Sequence, residues 1–124
     1  ELYTSDASYE PGTVVKLGGE AEVTQTTDLF CANVFGIVST DPAYLMNSMC
    51  EGNTVAVALA GRVPCKVMGL VKKGDRILAS DEPGVGRAPD ELSDVKDWYR
   101  IVGRALEDKT TKGIGLIEVV VGAK

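Results

Sequence analysis

The sequence predicts an all-β fold, a compact barrel or β-clip-like arrangement of bent antiparallel hairpins. Three observations predict it. Apolar residues alternate with period two in many short runs, the spacing that sends side chains to opposite faces of a strand. Fourteen glycines lie among many Val and Thr residues, which suits short strands and frequent turns. No stretch carries a strong helical period over any length.

The pattern is clearest between Val55 and Gly69. Val55, Val57 and Leu59 alternate with Ala56 and Ala58, and Val63, Cys65 and Val67 alternate with Pro64 and Lys66. The alanines keep the second face apolar but thin, as where another sheet or subunit packs closely. Gly61 can bend or bulge the chain, and Pro64 cannot donate to a ladder. The stretch therefore reads as one long bent strand or two strands meeting at a corner: the chain bends or bulges between Ala60 and Pro64, or Pro64 lies on an edge strand. The plain alternative is a core hairpin.

The remaining elements come in order along the chain. Glu1 to Gly12 is polar and turn-rich. Thr13 to Leu17 is a strand, and Gly18-Gly19 is a tight hairpin into a strand at Glu20 to Thr24. Gln25 to Cys31 is a polar connection. Val34 to Ser39 is a strand interrupted at Gly36. Asp41 to Met46 reads as a short helix, capped by Thr40 or Asp41 with Pro42 in its first turn. Lys72 to Asp75 turns into a strand at Arg76 to Ser80. Asp81 to Ala88 is a glycine-proline loop, and Asp90 to Tyr99 holds at most a helical turn. Ile101 to Leu106 and Ile114 to Val121 are strands. The expected core is Val14, Val23, Ile37, Val57, Leu59, Val67, Ile77, Val102, Ile117 and Val119.

The two halves echo each other. Pro11 to Val15 is followed by Val34 to Val38, and Lys73 to Leu78 by Ile101 to Ala105. Each half then runs into an apolar strand, at Val55 and at Gly115. A duplicated β unit with pseudo-twofold symmetry would produce this pattern.

The 124 residues suffice for one domain, 1–124, with a real core. The net charge of −5 argues against nucleic acid as a partner. No apolar run reaches the length of a membrane span, which argues against insertion. The chain opens at Glu1 without methionine, as expected of a processed product or a piece of something longer. Three widely spaced cysteines, Cys31, Cys50 and Cys65, do not form a disulfide framework and suit small buried residues. There is no histidine, which removes His-based triads, His zinc sites and histidine switches.

Few constellations carry chemistry. Arg62, Lys66, Lys72, Lys73 and Arg76 concentrate positive charge, as a phosphate or sulfated-glycan site would. A solvated strand face explains them more simply. Gly84-Val85-Gly86 begins like a dinucleotide loop, but Pro89 stands at the third glycine and the motif fails. Ser39 and Ser80 each come after a strand, where a Ser-Lys pair could form, yet serine there is usually a turn residue. The loop aspartates lack calcium-loop spacing. Tyr44, Leu45 and Met46 form an apolar patch that suits a partner surface or a cap on the core. Trp98 and Tyr99 suit a lid over one barrel end or a carbohydrate-stacking pair.

Four segments in order, Pro11 to Val15, Gly36 to Ala43, Val57 to Val67 and Val71 to Asp75, resemble the C-terminal domain of bacteriophage tail-fibre and neck-appendage proteins. Within that group the chain is similar to the autoproteolytic intramolecular-chaperone domain. The G-I-V-S-x-x-P and L-x-G-R-V-P-x-K-V segments carry the resemblance most specifically. It implies a homotrimeric virion protein made in the host cytoplasm, joined to an upstream fibre segment and helping three chains find register. In self-cleaving relatives a glutamate assists a cut a few positions upstream. Glu1-Leu2-Tyr3 fits that glutamate and the aromatic-containing strand start after it. The resemblance thus makes Glu1 the catalytic candidate, and the apolar patch makes Tyr44, Leu45 and Met46 the interface candidates. Three roles stay open: a structural fibre domain, a single-turnover autoproteolytic chaperone, and an adhesin tip for host-surface glycan. Neither the residues nor the resemblance requires a cofactor.

Overall fold

The computed structural model describes residues 1–28, 31, 33–39, 53–89 and 100–123. Ten strands are described: β1 (Leu2–Ser5), β2 (Val14–Leu17), β3 (Val23–Gln25), β4 (Val34–Val38), β5 (Asn53–Ala58), β6 (Gly61–Met68), β7 (Arg76–Ala79), β8 (Gly86–Arg87), β9 (Gly103–Ala105) and β10 (Ile114–Val121). The all-β class is thus observed. The short helix with its Tyr44-Leu45-Met46 patch, Cys50, the turn at 90–99 and the Trp98-Tyr99 pair lie outside the described residues.

The strands close two five-stranded barrels, β1-β3-β2-β4-β5 and β10-β6-β8-β7-β9. The duplication is register-true. Val15 faces Gly36 in the first barrel as Ile77 faces Gly103 in the second. Val38 faces Val57 as Ala105 faces Val119. Tyr3 faces Val55 as Cys65 faces Ile117. Both barrels also contain one parallel pair, β1 with β3 and β6 with β8, where only antiparallel hairpins were expected. The echo at Val55 and Gly115 picks the right strands two residues out of step, since Val55 corresponds to Ile117.

The Val55–Gly69 stretch is the corner between the barrels. β5 pairs with β1 and β4, and β6 pairs with β10 and β8, so the segment is not a hairpin. Gly61 makes the turn at φ +86°, a conformation that costs other residues about 1–2 kcal/mol. Pro64 faces Glu118 on β10, while β8 on the other flank reaches only Val67 and Met68. The missing N–H of Pro64 therefore breaks no two-sided ladder.

Nine of the ten expected core residues are buried. Leu59 is not: it lies past the end of β5 on the corner and is 39% exposed. The period continues through Leu59 but the strand does not. Other boundaries differ as well. The Gly18-Gly19 hairpin is a wider loop, closed by the Gly18 N–H on the Glu22 carbonyl, and β3 starts only at Val23. The polar start contains β1, and the 81–88 loop contains β8. These short strands have too few apolar residues to announce themselves.

The first barrel is filled by Val15, Val23, Val38, Val55 and Val57, with Tyr3, Tyr9 and Phe35 packed against them. Tyr3 and Phe35 meet edge to face at 5.0 Å. The second barrel holds Val63, Cys65, Val67, Ile77, Val102, Ile117 and Val119, and two residues of the first barrel, Val14 and Ile37, join that core. Val14 and Ile37 point away from the interior of their own barrel, so the outer face of β2 and β4 is a plug for the second barrel. Fully burying each such side chain is worth about 1.5–3 kcal/mol.

Candidate functional site

The barrel junction is built from backbone first. The Lys66 N–H donates to the Gly12 carbonyl at 2.9 Å, and the Val14 N–H donates to the Gly84 carbonyl at 2.8 Å. The Gly84 N–H in turn donates to the Thr26 carbonyl at 2.9 Å. Glycine suits both positions, which lie at φ +95° and +74°. A Cβ on Gly12 would stand 2.7 Å from Leu116 Cδ2, and one on Gly84 would stand 2.7 Å from Thr13 Cγ2. Beside them the Lys66 ammonium pairs with the Glu10 carboxylate and donates to Thr13 Oγ1 at 3.2 Å.

The junction opens into a groove of about 430 Å³ between Glu10, Pro11, Lys66, Glu82, Ile114 and Leu116. Polar and apolar atoms share its walls almost evenly, and Ile114 and Leu116 are more than half exposed. Lys66 is spent on Glu10, so the groove rim is acidic rather than phosphate-binding. The other members of the expected basic cluster lie elsewhere. Arg62 faces Val120 at the corner, and Arg76 faces Arg104 on the second barrel.

Glu1 begins the first barrel. Its carbonyl accepts the Val57 N–H at 2.9 Å, and its carboxylate accepts the Tyr3 hydroxyl at 2.9 Å. That bond, with slight desolvation and the nearby Glu1 and Glu22 charges, holds the Tyr3 hydroxyl above its usual pKa. Glu1 is exposed, but its backbone and carboxylate both have partners.

Ser80 is a turn staple. Its buried hydroxyl donates to the Val85 carbonyl at 2.6 Å, and the Glu82 N–H donates back to it at 3.1 Å. Burial pushes the Cys65 thiol up to about 12, so it packs as an apolar residue rather than acting as a nucleophile. Among the described residues no three His, Cys, Asp or Glu side chains come together to hold a metal ion.

Sequence reasoning missed two polar clusters. Lys109 is buried, and its ammonium donates to the carbonyls of Gly69 at 2.8 Å and Thr111 at 2.6 Å, and to that of Gly113. It ties the loop after β9 to the end of β6. On the first barrel, Asp6 accepts the Tyr9 hydroxyl at 2.5 Å and the Thr24 hydroxyl at 2.9 Å. A lone lysine in a polar stretch carries no signal of burial. The Asp6 cluster joins residues that only the parallel β1–β3 pairing brings together. No family model and no curated protein matches the chain.

Proposed function

We propose that the chain is a structural component of a bacteriophage virion, the trimerising C-terminal domain of a tail fibre or appendage. The observation that supports this reading is where the resembling segments lie. Pro11 to Val15 supplies the plug strand, Gly36 to Val38 the strand beside it, Val57 to Val67 the corner, and Val71 to Asp75 the turn into β7. The described residues that carry the resemblance build the barrels and join them, which suits a domain whose work is to hold shape. Antibody raised against this domain should label fibres or appendages in electron micrographs of the encoding phage, and unlabelled virions would sink the reading. Light scattering on the purified chain should give a trimer.

A second reading, single-turnover self-cleavage, has one observation in its favour. The Glu1 carboxylate is fixed by Tyr3 at the head of β1, where it could take or give a proton at a peptide bond just upstream. A chain extended upstream of Glu1 should release a fragment starting at or shortly before Glu1, and Glu1→Gln should stay whole. If both stay whole after assembly, the structural reading stands alone.

A further inference from the structure

The junction within the chain joins two different faces, and the duplication leaves one spare copy of each. Under pseudo-twofold symmetry Gly74 and Thr4 would repeat the Gly12–Lys66 bond. Instead the Thr4 N–H donates to the Glu22 carboxylate at 2.9 Å, and nothing comes within 4 Å of a Cβ on Gly74. The contact is therefore heterologous, a plug on the first barrel in a socket on the second.

The spare plug lies on the second barrel. Gly74 stands where Gly12 stands, both at φ +95°. Arg76 stands for Val14, and Arg104 for Ile37. Lys72 stands for Glu10: the Asp75 N–H bonds the Lys72 carbonyl as the Thr13 N–H bonds the Glu10 carbonyl. Two apolar residues and one acid have thus become three cations. Arg76 and Arg104 face each other across the ladder, an unfavourable pairing without an anion nearby. The Arg104 guanidinium donates to the Gly74 carbonyl at 2.8 Å, the carbonyl whose counterpart on Gly12 makes the junction. Asp75 spends one carboxylate oxygen on the Lys72 N–H.

The spare socket lies on the first barrel. Thr4 stands for Lys66, and the exposed Glu22 carboxylate sits on it, with Asp6 on the same β1–β3 side. This face is acidic where the used socket carries lysine. We propose that the basic β7–β9 face of one copy docks on the acidic β1–β3 face of another, with Lys72 of the first pairing Glu22 of the second. The occupant of each spare face is a second copy of this chain, and charge complementarity selects it.

The reversed polarity also sets specificity. Within the chain the plug carries the acid and the socket the lysine; between chains the plug carries the lysine and the socket the acid. Placing the spare plug in the wrong socket would set Lys72 against Lys66, a repulsive pairing that discriminates against it. With a rotation that closes, alternating junctions of the two kinds make a ring, and three chains give a ring of six barrels. The number of copies rests on the proposed trimer; the pairing of faces does not.

The test is light scattering of the full chain with Lys72→Glu, Glu22→Lys and the double reversal, using Lys112→Glu as a surface control. Each single reversal should weaken association at least tenfold and leave the circular dichroism unchanged. The double reversal should restore assembly, and the control should match wild type. Added salt should loosen the wild-type assembly. A wild-type trimer indifferent to both single reversals overturns this interface and leaves the trimer standing. A tetramer dissociated by both keeps the interface and overturns the trimer. Loss without rescue in the double reversal overturns the pairing, and a wild-type monomer at the highest concentration overturns both proposals.

Discussion

The two barrels share topology and register but bury different faces. The first turns Val15 inward and Val14 outward, and both are fully buried because the second barrel covers the outer face. The second turns Ile77 inward and Arg76 outward, and Arg76 remains half-buried. The inward pattern is the one a closed barrel dictates, so both halves keep it. The outward residue is free to differ, and its chemistry records what covers it. The ladders differ too. β6 and β10 pair over eight positions where β1 and β5 pair over four, so the second barrel carries a longer ribbon and a larger core.

The sharpest way to break this comparison is to empty matched interior positions. Ile77→Ala should cost about 2–5 kcal/mol, the usual range for a large core residue cut to alanine. Val15→Ala, at the same register, removes two carbons and should cost about 2 kcal/mol. Urea unfolding at both positions measures it. A Val15 cost exceeding that of Ile77 would mean that the first barrel, not the second, anchors the fold.

Gly36 and Gly103 test the shared register directly. A Cβ would stand 2.5 Å from the Ala58 carbonyl oxygen at Gly36, and 2.3 Å from the Val120 carbonyl oxygen at Gly103. Backbone cannot swing aside as a side chain can, so Gly36→Ala and Gly103→Ala should each cost about 3 kcal/mol by overpacking. Thermal melts that fall for one and not the other would show that the two barrels are less alike than their ladders indicate.

The sequence carried the parts of this fold that depend on inward faces. Val57, Val67, Ile77, Ile117 and Val119 alternate because one side of each strand meets a core, and that period is local information. Gly61 marked the corner because left-handed backbone favours glycine. The outward faces were harder to read. Val14 and Ile37 read as core residues, but nothing in their spacing says that they serve the neighbouring barrel rather than their own. Leu59 kept the period and still came out exposed, because burial ends where the ladder ends. The parallel β1–β3 pairing, the source of the Asp6 cluster, joins segments with no local mark of partnership. Of the sites, Glu1 rests on resemblance alone. Lys66 reads with the cations in the sequence, and nothing local marks Glu10 as its partner.

A finer probe separates the used plug from its spare copy. Gly12→Ala and Gly74→Ala both place alanine at φ +95° and should both lose about 1–2 kcal/mol for that reason. Only Gly12 meets the other barrel, through Leu116 and Lys66. Leu116 is exposed and can shift, so the extra cost at Gly12 should be about 1 kcal/mol. Equal losses in denaturant titration of chains kept too dilute to associate would mean that the junction within the chain tolerates a methyl and is looser than its hydrogen bonds suggest.

The smallest effect concerns acid, and it belongs to the first barrel alone. Asp6 sits where the second barrel has Met68, so only the first barrel holds a carboxylate there. The Tyr9 hydroxyl, more than the Thr24 hydroxyl, holds the Asp6 carboxyl below its usual pKa, and slight burial opposes them. A pKa lowered by folding means that the unfolded chain binds the proton more readily. The resulting stability is complete above the ordinary aspartate value, about 3.9, and is lost as pH falls through the lower folded value. Asp6→Asn removes this contribution at every pH. The gap in urea midpoint between wild type and Asp6→Asn should therefore stay constant from about pH 7 to pH 5 and narrow below about pH 4. A gap that widens on acidification would show that Asp6 favours its protonated form, with one of the two hydroxyls accepting the carboxyl proton rather than donating.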